Sequence, residues 1–147
     1  MKSLSRFSLL VALLLSGCTA PSGEGDVTID DPWARATAPG QSSAAAYFTI
    51  VNDTGSDVRL MAASTDLGTA SLHRTTIENG IASMRPIVGG LNVAAGETAR
   101  LEPQGDHVMI MGLGAPLEAG TSFDLALDFE TGEDRIITVQ IVEPGSR

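Results

Sequence analysis

The spacing of turn residues is the feature that most constrains the fold of this chain. After Asp26, short apolar or alternating runs recur about every eight to twelve residues, separated by Gly, Pro, Asn and Asp. No stretch of useful length repeats its apolar residues with the helical period. This pattern is typical of an all-β sandwich or barrel. The predicted strands are Val27–Ile29, Ala44–Asn52, Val58–Ser64, Ala70–Ile77, Ile81–Ile87, Thr98–Leu101, His107–Met111, Ser122–Phe129 and Arg135–Val142.

One turn also predicts a strand register. Asn79–Gly80 lies between two alternating runs, and this dipeptide favours a type I′ turn because both central residues of that turn need a positive φ. A two-residue loop at this point pairs Thr75 with Met84. His73 then lies on the same face as both residues, because side chains alternate along a strand.

Both histidines of the chain are followed by a methionine. His73 precedes Met84 by ten intervening residues, and after twenty-two more residues come His107 and then Met109. Alternation places His107, Met109 and Met111 on one face of a strand that begins near a loop. Imidazole and thioether groups suit Cu(I). A site near a loop end could therefore hold His73, Met84, His107 and Met109 around one metal ion. Met111 would lie one pleat deeper, as a core or supporting residue.

The same residues also have a purely structural interpretation. Methionines on strands usually fill gaps in a core, and a lone histidine is usually a hydrogen-bonded surface or core group. Under this interpretation the domain is a β-sandwich interaction module. The spacing alone leaves both alternatives open.

Enzymatic and electron-transfer roles fit the composition poorly. A blue-copper site needs a cysteine thiolate, and the chain has one cysteine, Cys18, close to the N-terminus. Two histidines are too few for a copper-zinc dismutase, and a hydrolytic zinc site would leave the methionines unexplained. We therefore expect a protein that is not an enzyme.

The N-terminus predicts a lipoprotein. Lys2 and Arg6 precede an apolar run, Phe7–Leu15, and the sequence Leu15–Cys18 resembles a bacterial lipobox. We expect residues 1–17 to be a signal peptide, residues 18–25 to be the lipidated Cys18 with a flexible tether, and residues 26–147 to form a single domain. Thr19 in place of an aspartate predicts sorting to the outer membrane, facing the periplasm.

The charge of the chain limits its partners. The formal net charge is −9, and removal of residues 1–17 would leave 7 arginines, no lysine and 18 acidic residues. Such a surface repels nucleic acid and anionic lipid. We therefore expect no nucleic-acid partner, and membrane contact only through the lipid anchor.

The segment Asp31–Gly40 is predicted to be irregular. It holds the only tryptophan, Trp33, which we interpret as a buried structural anchor because a large aromatic side chain contributes much core area. Arg35 is interpreted as a surface or packing residue.

Four stretches together resemble the PCuAC family of periplasmic copper chaperones: Trp33–Thr37, His73–Met84, Gly89–Gly96 and His107–Leu113. The resemblance implies a cupredoxin-like Greek-key β-sandwich that binds Cu(I) through two histidines and two methionines. Carried over residue by residue, these ligands are His73, Met84, His107 and Met109. The implied function is delivery of copper to a recipient protein, such as the binuclear copper site of cytochrome c oxidase or a thioredoxin-like assembly factor.

The chain departs from the family pattern in two places. Many members carry a methionine shortly after the first histidine, where this chain has Arg74–Thr76. Members with a second copper site have a tail rich in histidine and methionine, whereas this sequence ends in Val142–Arg147 without either residue. We therefore expect one copper site.

Overall fold

The computed structural model describes residues 25–132 and 134–147, which form ten strands and no helix. The strands are β1 Val27–Arg35, β2 Ser43–Asn52, β3 Val58–Ser64, β4 Thr69–Glu78, β5 Ile81–Pro86, β6 Leu91–Val93, β7 Thr98–Leu101, β8 Asp106–Met111, β9 Ser122–Phe129 and β10 Asp134–Val142. No helix among the described residues is long and apolar enough to cross a membrane. The predicted signal peptide (1–17), Cys18 and the tether as far as residue 24 lie outside the described residues.

The strands join into one sheet with the order β5-β4-β8-β7-β2-β1-β10-β9-β3-β6, and β8 also pairs with β2. Alternate residues of both halves of this sheet fill a common core. The largest fully buried side chains include Phe48 and Ile50 on β2, Ile110 on β8, and Leu125 and Leu127 on β9. The all-β, single-domain prediction is confirmed, because the halves bury their apolar faces against each other.

The irregular segment predicted from Asp31 was wrong in its first half. β1 continues to Arg35 and pairs with β2 on both sides of a register shift between Asp30 and Trp33. Between these pairs β1 has one residue more than β2, and Asp31 has a φ of 51°. The extra residue forms a bulge that leaves the later pairing intact. Pro32 sits inside this bulge, where a missing N–H is tolerated.

Strand β6 was not predicted, because three residues are too few to show an alternating pattern. It is held in place by Asn52, a fully buried side chain at the end of β2. The amide nitrogen of Asn52 donates to the carbonyl oxygens of Val93 and Ala94 at 2.9 and 3.0 Å. Its side-chain oxygen accepts the Thr54 hydroxyl at 2.6 Å. One polar side chain thus ties the end of β2 to β6.

The β4–β5 hairpin has the predicted turn and register. Asn79 and Gly80 have φ values of 53° and 79°, which is the geometry of a type I′ turn. Thr75 lies opposite Met84, and His73 lies opposite Pro86. The turn therefore sets which side chains of β5 can approach His73.

Candidate metal centre

The two histidines lie directly opposite each other on neighbouring antiparallel strands. His73 of β4 pairs with His107 of β8, and their ring centroids are 6.0 Å apart with the planes inclined by 20°. Residues opposite each other in a sheet project to the same face. The sequence placed both histidines near strand pairs but did not predict this pairing.

His107 is held with one ring nitrogen available. Only 4% of the residue is exposed, and its Nδ1 lies 3.1 Å from the carbonyl oxygen of Gly105. A carbonyl oxygen only accepts, so Nδ1 must carry the proton, and Nε2 then keeps its lone pair. The same carbonyl accepts the backbone N–H of Thr75 at 3.0 Å. The turn before β8 therefore fixes both the ring and its tautomer, as the partners of metal-binding histidines usually do.

His73 is half-buried and more accessible than His107. Its Nδ1 lies 3.4 Å from the Ser71 hydroxyl oxygen, two residues earlier on the same face. Ser71 in turn lies opposite Met109 on β8. His73 is thus adjacent to both the other imidazole and a thioether-bearing residue.

The predicted face of β8 is confirmed. Val108 and Ile110 are fully buried in the core, whereas Met109 is half-buried on the opposite face with His107. Met111 shares this outer face and is 43% exposed. The expectation that Met111 lies deeper as a core residue was wrong, because this face of β8 points outward.

Met84 and Met109 approach His73 from opposite diagonals. Met84 lies opposite Thr75 and Met109 opposite Ser71, two residues to either side of His73 on β4. In a flat sheet the Cα atoms of Met84 and Met109 would be roughly 16 Å apart. One ion can therefore contact both sulphur atoms only if the twist of the sheet brings the β4–β5 hairpin closer to β8. Met84 is 50% exposed and belongs to β5, at one end of the sheet order. The fold brings together His73, His107 and Met109, while Met84 adjoins His73 alone.

An ion pair joins β4 and β8 beside the histidines. The Arg74 guanidinium donates two hydrogen bonds to the Asp106 carboxylate, at 2.6 and 2.8 Å. These residues lie opposite each other in the register, next to the histidine pair. The hydrogen bonds to Asp106 also raise the pKa of Arg74. This bidentate contact fixes the two strands at the position where the imidazoles meet.

A row of rings continues from His107 across β2 to β1. The Tyr47 ring centroid lies 6.4 Å from that of His107 and 4.6 Å from that of Trp33. Both aromatic residues are 9% exposed, which confirms Trp33 as a buried anchor. Burial raises the pKa of the Tyr47 phenol, while the nearby charge of Arg35 opposes that shift.

Arg35 packs over the Trp33 ring at 5.7 Å from its centroid, so its interpretation as a packing residue is confirmed. Sequence reasoning missed Tyr47. Its signal was present, since it is the only tyrosine and lies on a predicted strand. The pairing of β2 with β8 was the missing information.

The predicted donors on this face are two imidazoles and two thioethers. Within residues 25–132 and 134–147, no three His, Cys, Asp or Glu side chains are grouped as they would be around a metal ion. The chemistry available on this face is therefore that of soft and borderline ligands, which favour Cu(I) over harder ions.

Comparisons with known proteins match most of the chain to a lipoprotein family. Residues 27–141 match the family model described as "Putative lipoprotein LpqE-like". "Putative lipoprotein Lxx21020" of Leifsonia xyli subsp. xyli is 32% identical over 151 residues, covering 94% of this chain and 89% of the relative.

Two solved structures show the same fold. The Cu(I) form of DR1885 from Deinococcus radiodurans has a TM-score of 0.64 at 28% identity, covering 84% of this chain and 85% of its own. The copper-bound PCuAC domain of PmoF2 has a TM-score of 0.68 at 20% identity, covering 82% and 95%. These likenesses confirm the predicted cupredoxin-like fold class.

Proposed function

The chain belongs to the LpqE-like family and has the fold of PCuAC domains, and from this premise we propose that it is a carrier of Cu(I). The proposed ligands are His73, His107, Met109 and Met84. The observation that carries the proposal is the direct pairing of His73 with His107 on a face that also holds both methionines. The likeness to DR1885, solved with Cu(I) bound, supports the choice of metal.

The donor set suits carriage rather than turnover. Two neutral imidazoles and two neutral thioethers leave the bound ion as a monocation and disfavour the harder Cu(II) state. His107 is buried and held by Gly105, so it forms the fixed side of the site. Met84 is exposed on an edge strand, so an incoming thiolate or thioether displaces it first. Stepwise replacement of this kind lets a donor hold copper and still release it.

The proposed place of action is the bacterial cell envelope. The relationship to LpqE-like lipoproteins supports lipidation at Cys18, with residues 1–17 as signal peptide and 18–25 as tether. The domain of residues 26–147 would then face the periplasm from the outer membrane. The recipient we propose is a copper protein such as a cytochrome c oxidase subunit, or a thioredoxin-like assembly factor.

The test is a Cu(I) titration against a competing chelator under reducing conditions. The full chain carries Cys18→Ser in every sample, so that its thiol does not compete. We expect one Cu(I) per chain, with binding lost in His73→Ala and weakened in Met109→Ala. If the chain with Cys18→Ser and no further substitution fails to compete with the chelator for Cu(I), the proposal is contradicted. Variants that change only stability would favour the structural alternative, an interaction module.

A further inference from the structure

A pocket of about 280 Å³ opens on the reverse face of the β4–β5 hairpin, away from the histidine pair. The register places Arg74 of β4 directly opposite Arg85 of β5, and Thr76 follows two residues after Arg74 on the same face. His73 precedes Arg74 and Met84 precedes Arg85, so these two side chains project to the other face. Six residues line the pocket: Arg74, Thr76, Arg85, Pro86, Ile87 and Val88.

Two arginines meet in this pocket, and one carboxylate balances only the first of them. Arg74 donates through Nε and Nη2 to Asp106 at 2.6 and 2.8 Å, and its Nη1 has no acceptor among the described residues. The Arg85 side chain makes no ion pair or hydrogen bond with any residue of 25–132 or 134–147. Like charges directly opposite each other in a sheet are unfavourable. The pocket therefore favours a negatively charged ligand.

The acidic groups on the reverse face leave the charge of Arg85 uncompensated. Asp106 uses both of its carboxylate oxygens on Arg74. Glu78 lies opposite Ile81 beside the turn, four residues beyond Arg74 and roughly 13 Å away along the strand. Charges beyond about 8 Å are largely screened at physiological ionic strength. An anion in the pocket would therefore be attracted by Arg85 with little repulsion from Glu78.

The pocket also offers a hydroxyl group and an apolar wall. Thr76 lies diagonally across from Arg85, with roughly 7–8 Å between their Cα atoms, so one ligand can accept hydrogen bonds from both side chains. Ile87 donates its backbone N–H to the carbonyl oxygen of Leu72 at 2.9 Å, and its side chain packs against the core. Val88 beside it is 93% exposed. A ligand with a short apolar group would cover Ile87 and Val88 while its charged end pairs with Arg85.

We propose that this pocket binds a small organic acid, a carboxylate that carries a short apolar group. The carboxylate accepts two parallel hydrogen bonds from Arg85, because planar guanidinium and carboxylate groups match in this geometry, and one from the Thr76 hydroxyl. The apolar group packs against Ile87 and Val88. The pocket is smaller than the roughly 300–1,000 Å³ of sites for drug-sized ligands, so the acid is a small one. The site lies on the opposite face from the proposed copper ligands and does not depend on them.

The experiment titrates the full Cys18→Ser chain with 4-methylpentanoate at pH 7 and constant ionic strength. The NMR signals of the backbone amides of β4 and β5 report binding. We expect saturable one-to-one binding with a Kd of about 1 mM, an ordinary efficiency for a ligand of about eight heavy atoms. Two related compounds separate the contributions: 4-methylpentanamide lacks the charge, and acetate lacks the apolar group. Each should bind at least about tenfold more weakly.

Two substitutions test the residues that hold the acid. Arg85→Gln should weaken binding at least about tenfold, and Thr76→Val should weaken it several-fold. Arg100→Gln is the matched control for Arg85→Gln, because Arg100 is exposed on β7 and its loss removes the same charge outside the pocket. The urea midpoint should not fall in either arginine variant, which separates loss of the ligand from loss of the fold.

Each other result overturns a stated part of the proposal. No saturable binding of 4-methylpentanoate overturns the site. Equal binding of the amide overturns the carboxylate, and equal binding of acetate overturns the apolar contact. Equal weakening by Arg85→Gln and Arg100→Gln shows attraction to the overall charge and overturns the pocket. Tighter binding of a dipeptide that ends in a free leucine carboxylate assigns the pocket to a chain terminus and overturns the free acid.

Discussion

His73 and His107 face each other across β4 and β8 with ring centroids 6.0 Å apart. An imidazole nitrogen binds a metal ion at about 2.0–2.1 Å, so two nitrogens of one ion are at most roughly 4 Å apart. The separation between the ring centres allows both nitrogens to reach such an ion without a change of register. The hydrogen bond from His107 to Gly105 keeps one of these rings in the binding tautomer.

Replacing each methionine by leucine should lower the Cu(I) affinity by an amount that depends on where the methionine lies. Leucine matches methionine in volume, so each variant removes the thioether with little change in packing. We expect Met109→Leu to lower Cu(I) affinity by at least about tenfold, or about 1.4 kcal/mol. Met84→Leu should cost less, because Met84 is exposed and adjoins only His73.

Met111→Leu is the control and should leave affinity unchanged. Chelator competition under reducing conditions measures all three variants. A loss on Met111→Leu equal to that of Met109→Leu would show that the ligand assignment on β8 is wrong.

Removal of the Arg74–Asp106 ion pair should loosen the site. We expect Asp106→Asn to lower the free energy of unfolding by about 1 kcal/mol, since the bidentate geometry is good but Arg74 is half-exposed and screened. Cu(I) affinity should also fall by about tenfold, because groups that orient metal ligands have effects of this size.

Glu130→Gln provides the comparison. It breaks the exposed 3.7 Å contact with Arg59 and should change stability by less than about 0.5 kcal/mol. Urea unfolding and chelator competition measure both variants. Equal effects of the two substitutions would argue against a special role for the Arg74–Asp106 pair.

The buried Tyr47 predicts a loss of stability in alkali. Burial raises the pKa of its phenol in the folded state, whereas the unfolded phenol ionises near pH 10. The stabilising contribution is therefore complete below about pH 10 and is lost as pH rises through the higher folded pKa. Urea unfolding of the wild type should show this loss as the pH rises above about 10.

Tyr47→Phe removes the ionisable group and should show no such additional loss. Tyr47 is the only tyrosine, so phenolate absorbance follows this one side chain. A phenol that titrates in the folded protein as it does in urea would contradict the prediction.

Asn52→Ala should be strongly destabilising. The substitution leaves the buried carbonyl group of Val93 and the part-buried one of Ala94 without the donor they use now, and a buried unsatisfied group costs about 1–3 kcal/mol. We expect a loss of about 2 kcal/mol or more in urea unfolding. Asn92→Ala is the matched control; Asn92 is exposed on β6, and its loss should change stability by less than about 0.5 kcal/mol.

Local patterns in the sequence were enough to predict the positions of most strands and the register of the β4–β5 hairpin. Gly80 and Asn79 specify a type I′ turn by their tolerance of positive φ, and the turn then fixes how His73–Glu78 of β4 pair with Ile81–Pro86 of β5. Eight of the nine predicted strands match the observed ones within about one residue at each end, an accuracy better than boundary prediction usually reaches. The ninth prediction ended too early, because β1 continues through a bulge at Asp31. The three-residue β6 was not predicted.

The sequence by itself determined the kinds of ligand, the faces of β4, β5 and β8, and the all-β fold, because these follow from side-chain alternation and turn chemistry within a few residues. Only the tertiary structure decided that β8 pairs with β4 and β2, and hence that His107 lies between His73 and Tyr47. Such pairings join residues far apart in the chain, and they depend on which apolar faces are buried together. The same burial turned Met111 outward.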